Sequence, residues 1–187
     1  MQIKRNNWYA QIQDIPAEKL TFLDEAGVQT NMTRLRGRSL IGERLQATAP
    51  YGHWHTNTII SAIRLSGPCA TILFDCPTDS AVFQAYVEQS LADVLQPGDV
   101  VIMDNLAAHK TPAVAQALAR LPVRVIYLPP YSPDFNPIEC MWSQVKAYIR
   151  AAEARTFPAL LQALGEAIAK VTPDTCKAYF QNCKYAT

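Results

Sequence analysis

The sequence lacks a long hydrophobic run, a closely spaced pair of cysteines and an excess of charge of either sign. No apolar run among the 187 residues approaches the ~18 residues of a membrane span, and the start, MQIKRNNWYAQIQD, lacks the apolar stretch of a signal peptide. The five cysteines contain no C-x-x-C pair, which argues against a disulfide framework and against a structural zinc site. We therefore expect a soluble cytoplasmic protein that does not contact a membrane.

Charge is balanced overall, with 17 Lys+Arg against 16 Asp+Glu and a net charge of +1. This argues against a strongly basic packing protein but leaves room for a local basic patch. Residues 31–50 contain four arginines and one acid. Because Arg34, Arg36 and Arg38 alternate, they would lie on one face of an extended chain. Such a row is either a set of phosphate contacts or an edge strand guarded by charge, and the sequence leaves both open.

What the sequence does contain is short apolar runs that end in an acid. Residues 100–103 (VVIM) predict a strand buried on both faces, and Asp104 follows it. Residues 20–23 (LTFL) predict a first strand that ends at Asp24, with residues 25–27 as a turn. Because burying an unpaired carboxylate costs several kcal/mol, we expect these acids to be paired, hydrogen-bonded or bound to metal.

The remaining patterns predict an α/β fold. Two apolar runs separated by residues 66–68 (SGP) predict a hairpin, and helical spacing then alternates with further strand-like runs. Connections of this kind imply parallel neighbours and right-handed crossovers. The elements predicted after the first strand are strands 56–65 and 69–76, helix 79–95, strand 100–103, helix 113–121, strand 123–128, and helices 137–150, 157–171 and 175–183.

This order is that of a ribonuclease H-like fold, a five-stranded mixed sheet of three antiparallel and then two parallel strands, flanked by helices. We expect one domain over residues 1–187. Residues 1–19 form a lead-in, residues 20–150 the core, and residues 151–187 the C-terminal helices that cover one side of the sheet.

Glu139 is the third acid of interest. Asn136 is a good N-cap and Pro137 a good first helical residue, so Glu139 could fold back onto the cap as in a capping box. Asp104 alone could start a turn with Asn105, and Asp24 alone could cap its own turn. Their joint pattern favours another interpretation, because three carboxylates from separate elements can bind two hard divalent cations.

Several other polar residues carry two interpretations each. His109 could contact a phosphate or the attacking group, or serve a loop or cap. Lys110 and Lys146 could contact a DNA backbone or line a solvated face. His53 and His55 share a strand face, but a metal site needs a third ligand and none is nearby. We therefore interpret both as polar residues at the edge of the sheet. Asp75 is expected to have a helix-capping or turn role.

Longer blocks of the sequence resemble a known family. These are FLDEAG (22–27), RGRSLIGERL (36–45), VIMDNLAAHK (101–110), LPPYSPDFNPIECMWSQVK (128–146) and YFQNCKY (179–185), and Glu139 follows Asp104 by 35 positions (139 minus 104). They resemble the DDE-type transposases of bacterial insertion sequences in the mariner superfamily.

The resemblance implies that Asp24, Asp104 and Glu139 are a catalytic triad and that two Mg²⁺ or Mn²⁺ ions are the cofactor. It implies a catalytic domain that cleaves DNA at element ends and transfers the strand to target DNA, as a homodimer. It also implies an N-terminal helix-turn-helix part that reads the terminal repeats, which we expect to lie outside this chain. The alternatives are an inactive or domesticated DNA-binding relic and a stand-alone metal-dependent nuclease.

Overall fold

A computed structural model of the chain describes Arg5, residues 7–52 and residues 54–185. The strands are β1 (Leu20–Gln29), β2 (Thr56–Arg64), β3 (Gly67–Phe74), β4 (Val100–Met103) and β5 (Arg124–Tyr127). The helices are α1 (Trp8–Ile12), α2 (Ser80–Tyr86, continued by a π-helical turn Val87–Leu91 and by Ala92–Val94), α3 (Pro112–Ala119), α4 (Pro137–Ala152), α5 (Phe157–Ile168) and α6 (Pro173–Asn182).

The five strands form one mixed sheet in the order β3-β2-β1-β4-β5. β1 pairs antiparallel with β2, and β2 with β3, whereas β1 with β4 and β4 with β5 are parallel. The predicted sheet of three antiparallel and two parallel strands is therefore confirmed.

The predicted end of β1 at Asp24 is wrong. β1 runs on to Gln29, and residues 25–27 are strand rather than turn. The reason is tertiary, because residues 22–29 of β1 pair with residues 56–63 of β2, while β4 pairs only with residues 20–23. Asp24 is thus the first residue of β1 beyond the end of its parallel neighbour.

The two faces of the sheet carry separate cores. On one face Phe22 and Ile102 pack with α1, α4, α5 and α6, which confirms that the C-terminal helices cover one side. On the other face Leu23 and Val101 pack with α2 and α3. This split follows from the alternation of side chains along each strand.

The lead-in is part of the first core. Trp8 is buried, its ring stacks on Phe135 with centroids 6.2 Å apart, and its Nε1 donates to the Tyr185 hydroxyl at 3.0 Å. The two ends of the described chain therefore meet beside the start of α4.

The segment between β1 and β2 is irregular. In the described part of residues 31–55 no strand forms, so the interpretation of Arg34, Arg36 and Arg38 as part of an edge strand is wrong. The physical reason is that β2 begins only at Thr56, which leaves these residues without a strand partner. All three side chains are exposed, and the alternative of phosphate contacts stays a prediction. His53 lies outside the described residues, and His55 is exposed.

The helices are modest in length and none has the span and apolarity needed to cross a bilayer, as far as the described residues go. α4 is the longest at 16 residues, and it buries the expected stripe of Ile138, Met141, Trp142, Val145 and Ile149.

Candidate active site

A cleft of about 420 Å³ opens at the carboxyl ends of β4 and β5. The three acids singled out from the sequence all line it, although each comes from a different element. Asp24 comes from β1, Asp104 from the residue after β4, and Glu139 from the first turn of α4. The rest of the lining comes from the loops after β4 and β5, namely Asn105, Leu106, residues 128–133 and Asn136.

Asp24 is half-buried on the α4 side of the sheet. The indole Nε1 of Trp142 donates to its Oδ2 at 3.2 Å. Burial raises the pKa of Asp24 to about 8, and the negative charges of Glu139, Glu25 and Asp104 add to the increase. The mutual repulsion expected of three clustered carboxylates therefore acts on Asp24.

Asp104 both shapes a turn and lines the cleft. Its Oδ1 accepts a hydrogen bond from the backbone N–H of Leu106 at 3.1 Å, so it does shape the turn after β4. Its side chain is also 34% exposed and lines the cleft.

Glu139 does not form the capping box. Asn136 occupies the N-cap position, but its side chain makes no cap hydrogen bond. The Glu139 backbone N–H donates instead to the Asn136 carbonyl oxygen at 3.1 Å, and the Glu139 side chain is exposed at the cleft. Asn136 is buried, and within the described residues its Oδ1 has no hydrogen-bond partner.

His109 lies behind the cleft rather than at its surface. The ring is 1% exposed and stacks on Phe83 with centroids 4.1 Å apart. Its Nε2 is 2.6 Å from Glu25 Oε1 and its Nδ1 is 2.8 Å from Asp104 Oδ1. A phosphate contact would require the ring to leave this position.

Two carboxylates make His109 a cation near neutral pH. Burial pushes the pKa of His109 down, but the contacts with Asp104 and Glu25 more than offset this and raise it to about 9. Glu25 was not singled out from the sequence. The available signal was its position next to Asp24, which places it on the opposite face of the same strand.

The residues predicted to contact DNA do not line the cleft. Lys110 is exposed, with its Nζ 4.8 Å from the centroid of the Tyr127 ring. It lines a neighbouring groove that shares Asn105 and residues 128–130 with the cleft. Lys146 is half-buried on α4, and Arg34, Arg36 and Arg38 lie in the irregular segment.

The three acids share the cleft without enclosing a common point. Across the described ranges, no group of three or more His, Cys, Asp or Glu side chains is compact enough to hold a metal ion. Electrostatic repulsion between carboxylates favours such an open arrangement.

The fold is that of ribonuclease H-like enzymes, and the site is an acidic cleft at the carboxyl ends of its parallel strands. The family model described as DDE superfamily endonuclease matches residues 19–161. The chain therefore belongs to this family. No curated protein matches the chain.

Solved structures of Mos1 transposase share the fold at low sequence identity. A pre-cleavage Mos1 transpososome matches with a TM-score of 0.76 and 16% identity over 98% of this chain and 57% of that chain. The mariner Mos1 paired-end complex with Mn gives 0.72 and 17%, over 98% and 58%. The catalytic domain of Mos1 mariner transposase gives 0.63 and 16%, over 98% and 87%. This chain thus spans little more than half the length of the Mos1 chains in the complexes.

The raised pKa of Asp24 predicts a pH-dependent stability. Between about pH 4 and pH 8 the folded chain keeps a proton on Asp24 that the unfolded chain has released, so stability falls as pH rises through this interval. Asp24→Asn removes this penalty. We expect its melting temperature at about pH 8 to exceed that of the wild type by about 3–6 °C, with little difference at about pH 4.

Asp134→Asn is the matched control. The hydrogen bond from Arg5 lowers the pKa of Asp134, so this substitution is expected to lower the melting temperature at neutral pH. Calorimetric melting of the wild type, Asp24→Asn and Asp134→Asn tests both the expected increase and the expected decrease in melting temperature. An Asp24→Asn protein that melts below the wild type at about pH 8 contradicts the repulsion described above.

Proposed function

We propose that this chain is the catalytic domain of a DDE transposase, which cleaves DNA strands at element ends and transfers them to target DNA. The observation that carries the proposal is the convergence of Asp24, Asp104 and Glu139 on one cleft. Family membership supports it, because the matched region of residues 19–161 contains all three acids.

The residues of the cleft fit a pair of divalent cations. Three carboxylates are the hard oxygen donors that Mg²⁺ and Mn²⁺ prefer. Burial and then the negative charges of Glu139, Glu25 and Asp104 raise the pKa of Asp24, and a bound cation would offset that negative charge. Within the described residues the Oδ1 of buried Asn136 has no hydrogen-bond partner, and it is a further oxygen at the same cleft. The solved Mos1 paired-end complexes with Mn and with Mg support this assignment.

Asp24, Asp104 and Glu139 would hold the ions, and a bound pair lowers the pKa of a water or 3′-hydroxyl and stabilises charge on the phosphate. The chain itself orients the donors. Trp142 fixes one oxygen of Asp24, and the turn to Leu106 fixes one oxygen of Asp104. Without cations the acidic cleft repels a phosphate, so DNA enters productively only when the carboxylate charge is balanced.

DNA is the proposed partner, and a homodimer is the proposed working form. The Mos1 structures are a transpososome and paired-end complexes, which supports both. We propose further that residues 1–187 act as one domain alongside a separate helix-turn-helix part that reads the terminal repeats. The resemblance to transposases of bacterial insertion sequences supports a bacterial cytoplasmic location, at the nucleoid when bound to DNA.

A cleavage and strand-transfer assay on DNA carrying the element ends tests the proposal. With Mn²⁺ we expect nicking followed by joining of the freed 3′ end. Asp104→Asn is expected to lower the rate about 10³-fold, a loss of about 4 kcal/mol in transition-state stabilisation, because the ions lose a ligand.

Glu88→Gln is the control, because Glu88 pairs at the surface with Arg120, the residue that follows α3. Hydrolysis without joining would instead indicate a stand-alone nuclease. A folded chain without any Mn²⁺-dependent cleavage would indicate a DNA-binding relic.

Ion binding should also depend on pH. Because a cation must displace the proton of Asp24, we expect the apparent Mn²⁺ affinity, measured by calorimetric titration, to rise from about pH 6 to about pH 8. Asp24→Asn should lose most of the affinity together with this rise. A pH-independent affinity in the wild type would remove Asp24 from the ligand set.

The exposed arginines provide a test of DNA contact. Replacing Arg34, Arg36 and Arg38 together by Ala should flatten the log–log salt dependence of DNA affinity by ~2.7, at ~0.9 for each lost phosphate contact. Lys110→Ala and Lys146→Ala are each expected to flatten it by ~0.9. Arg120→Ala, which removes an exposed charge just after α3, should leave the slope unchanged. Equal slopes for the triple variant and this control would exclude the arginine row as a DNA contact.

A further inference from the structure

The two neighbouring acids of β1 face opposite sides of the sheet. Asp24 contacts Trp142 of α4 on one face. Glu25 contacts His109 on the other, where the ring packs on Phe83 of α2. Because side chains alternate along a strand, the proposed catalytic acid and its neighbour can serve the same cleft from its front and its back.

His109 bridges the back of the sheet to the cleft. Its two ring nitrogens are both occupied, Nε2 by Glu25 Oε1 at 2.6 Å and Nδ1 by Asp104 Oδ1 at 2.8 Å. The ring is almost fully buried and stacked on Phe83 at 27° between planes, so it has little freedom to rotate. The Nδ1 contact is close, but it lacks the alignment of a hydrogen bond.

The contacts on Asp104 are uneven between its two oxygens. Oδ1 faces both His109 Nδ1 and the backbone N–H of Leu106. Oδ2 has no partner among the described residues, and the side chain lines the cleft. The protein therefore fixes one oxygen from behind and leaves the other available to a ligand in front.

Stability alone does not favour this arrangement. Withdrawing the polar side chains of Glu25 and His109 from water costs free energy, and well-packed apolar side chains of similar volume are often at least as stable. Glu25 is mostly buried, with 13% of its side chain exposed, and it does not line the cleft that holds the three acids. A buried polar pair in contact with a proposed catalytic acid is therefore best explained by how it positions that acid.

We propose that Glu25 and His109 are a positioning pair for Asp104, in which Glu25 fixes the imidazole ring and the ring fixes the Asp104 carboxylate with Oδ2 toward the cleft. The inference rests on the proposed function, since it assigns these residues to the support of a metal ligand. Partners of this kind typically change metal affinity or activity 10–100-fold when they are removed.

The two amide isosteres of histidine separate the two contacts. The Asn amide nitrogen reaches about as far as Nδ1, so His109→Asn keeps a donor for Asp104 and loses Glu25. The Gln amide nitrogen reaches about as far as Nε2, so His109→Gln keeps Glu25 and loses Asp104. Glu25→Ala removes the anchor alone, and Glu25→Gln keeps an acceptor for Nε2.

Mn²⁺ affinity, measured from the free-ion electron paramagnetic resonance signal, is the first readout, and thermal melting verifies the fold. We expect His109→Gln to weaken Mn²⁺ binding about 10–100-fold, with His109→Asn and Glu25→Ala losing less and Glu25→Gln recovering most of the wild-type affinity. In the cleavage assay kcat should fall in the same order, while KM for DNA stays unchanged.

The outcomes distinguish this inference from the proposed function. Glu88→Gln on the surface of α2 should match the wild type throughout. If the wild type binds Mn²⁺ and cleaves DNA, and folded His109→Gln or Glu25→Ala does so equally well, the positioning role is wrong while the proposed function stands. If His109→Gln fails to fold, Glu25→Ala decides. A folded wild type that takes up no Mn²⁺ overturns the proposed function, and the inference with it.

Discussion

The site depends on a mismatch in length between two parallel neighbours. β1 has ten residues and β4 has four, and they pair only as far as Leu23 and Met103. Beyond that point β1 stays extended because β2 pairs with it from the other side. The chain after β4 is then free to turn away at Asp104, while Asp24 continues the sheet beside the opening. A longer β4 would fill this opening with backbone hydrogen bonds to β1. A shorter β1 would end level with β4 and leave no step.

The step concentrates carboxylates, and each is accommodated by a different physical means. Asp24 is partly buried near Glu139 and Asp104, and it retains a proton to unusually high pH. Asp104 is paired with the His109 cation, which Glu25 holds from the opposite side. Glu139 remains in contact with solvent at the rim. Protonation, ion pairing and hydration thus offset the same repulsion at three positions, and none of them blocks the cleft.

Sequence patterns predicted the succession of strands and helices along the chain and the placement of all three acids in one region, because these follow from local periodicity and strand ends. The extent of β1 was not predictable in this way. Its second half, EAGVQ, has the polar and glycine content of a turn, and only pairing with β2 makes it a strand. The edge strand predicted from the alternating arginines does not form, because a period of two gives a strand only where a neighbouring strand is available to pair with it. The Glu25–His109 contact joins residues 84 positions apart, and no local pattern encodes it.

The position of Glu139 depends on both ends of the described chain. Arg5 pairs with Asp134 at 2.6 Å and lies over the ring of Phe135 at 4.5 Å. The Tyr185 hydroxyl donates to the carbonyl oxygen of Phe135 at 2.5 Å. These contacts fix the proline-rich turn just before α4, and α4 then presents Glu139 and, one turn later, Trp142 toward Asp24. Because one rigid helix carries both the rim acid and the donor to Asp24, a shift of that turn would move Glu139 and at the same time withdraw the Trp142 hydrogen bond from Asp24. Asp104 would keep its separate contact with His109 on the other side of the sheet.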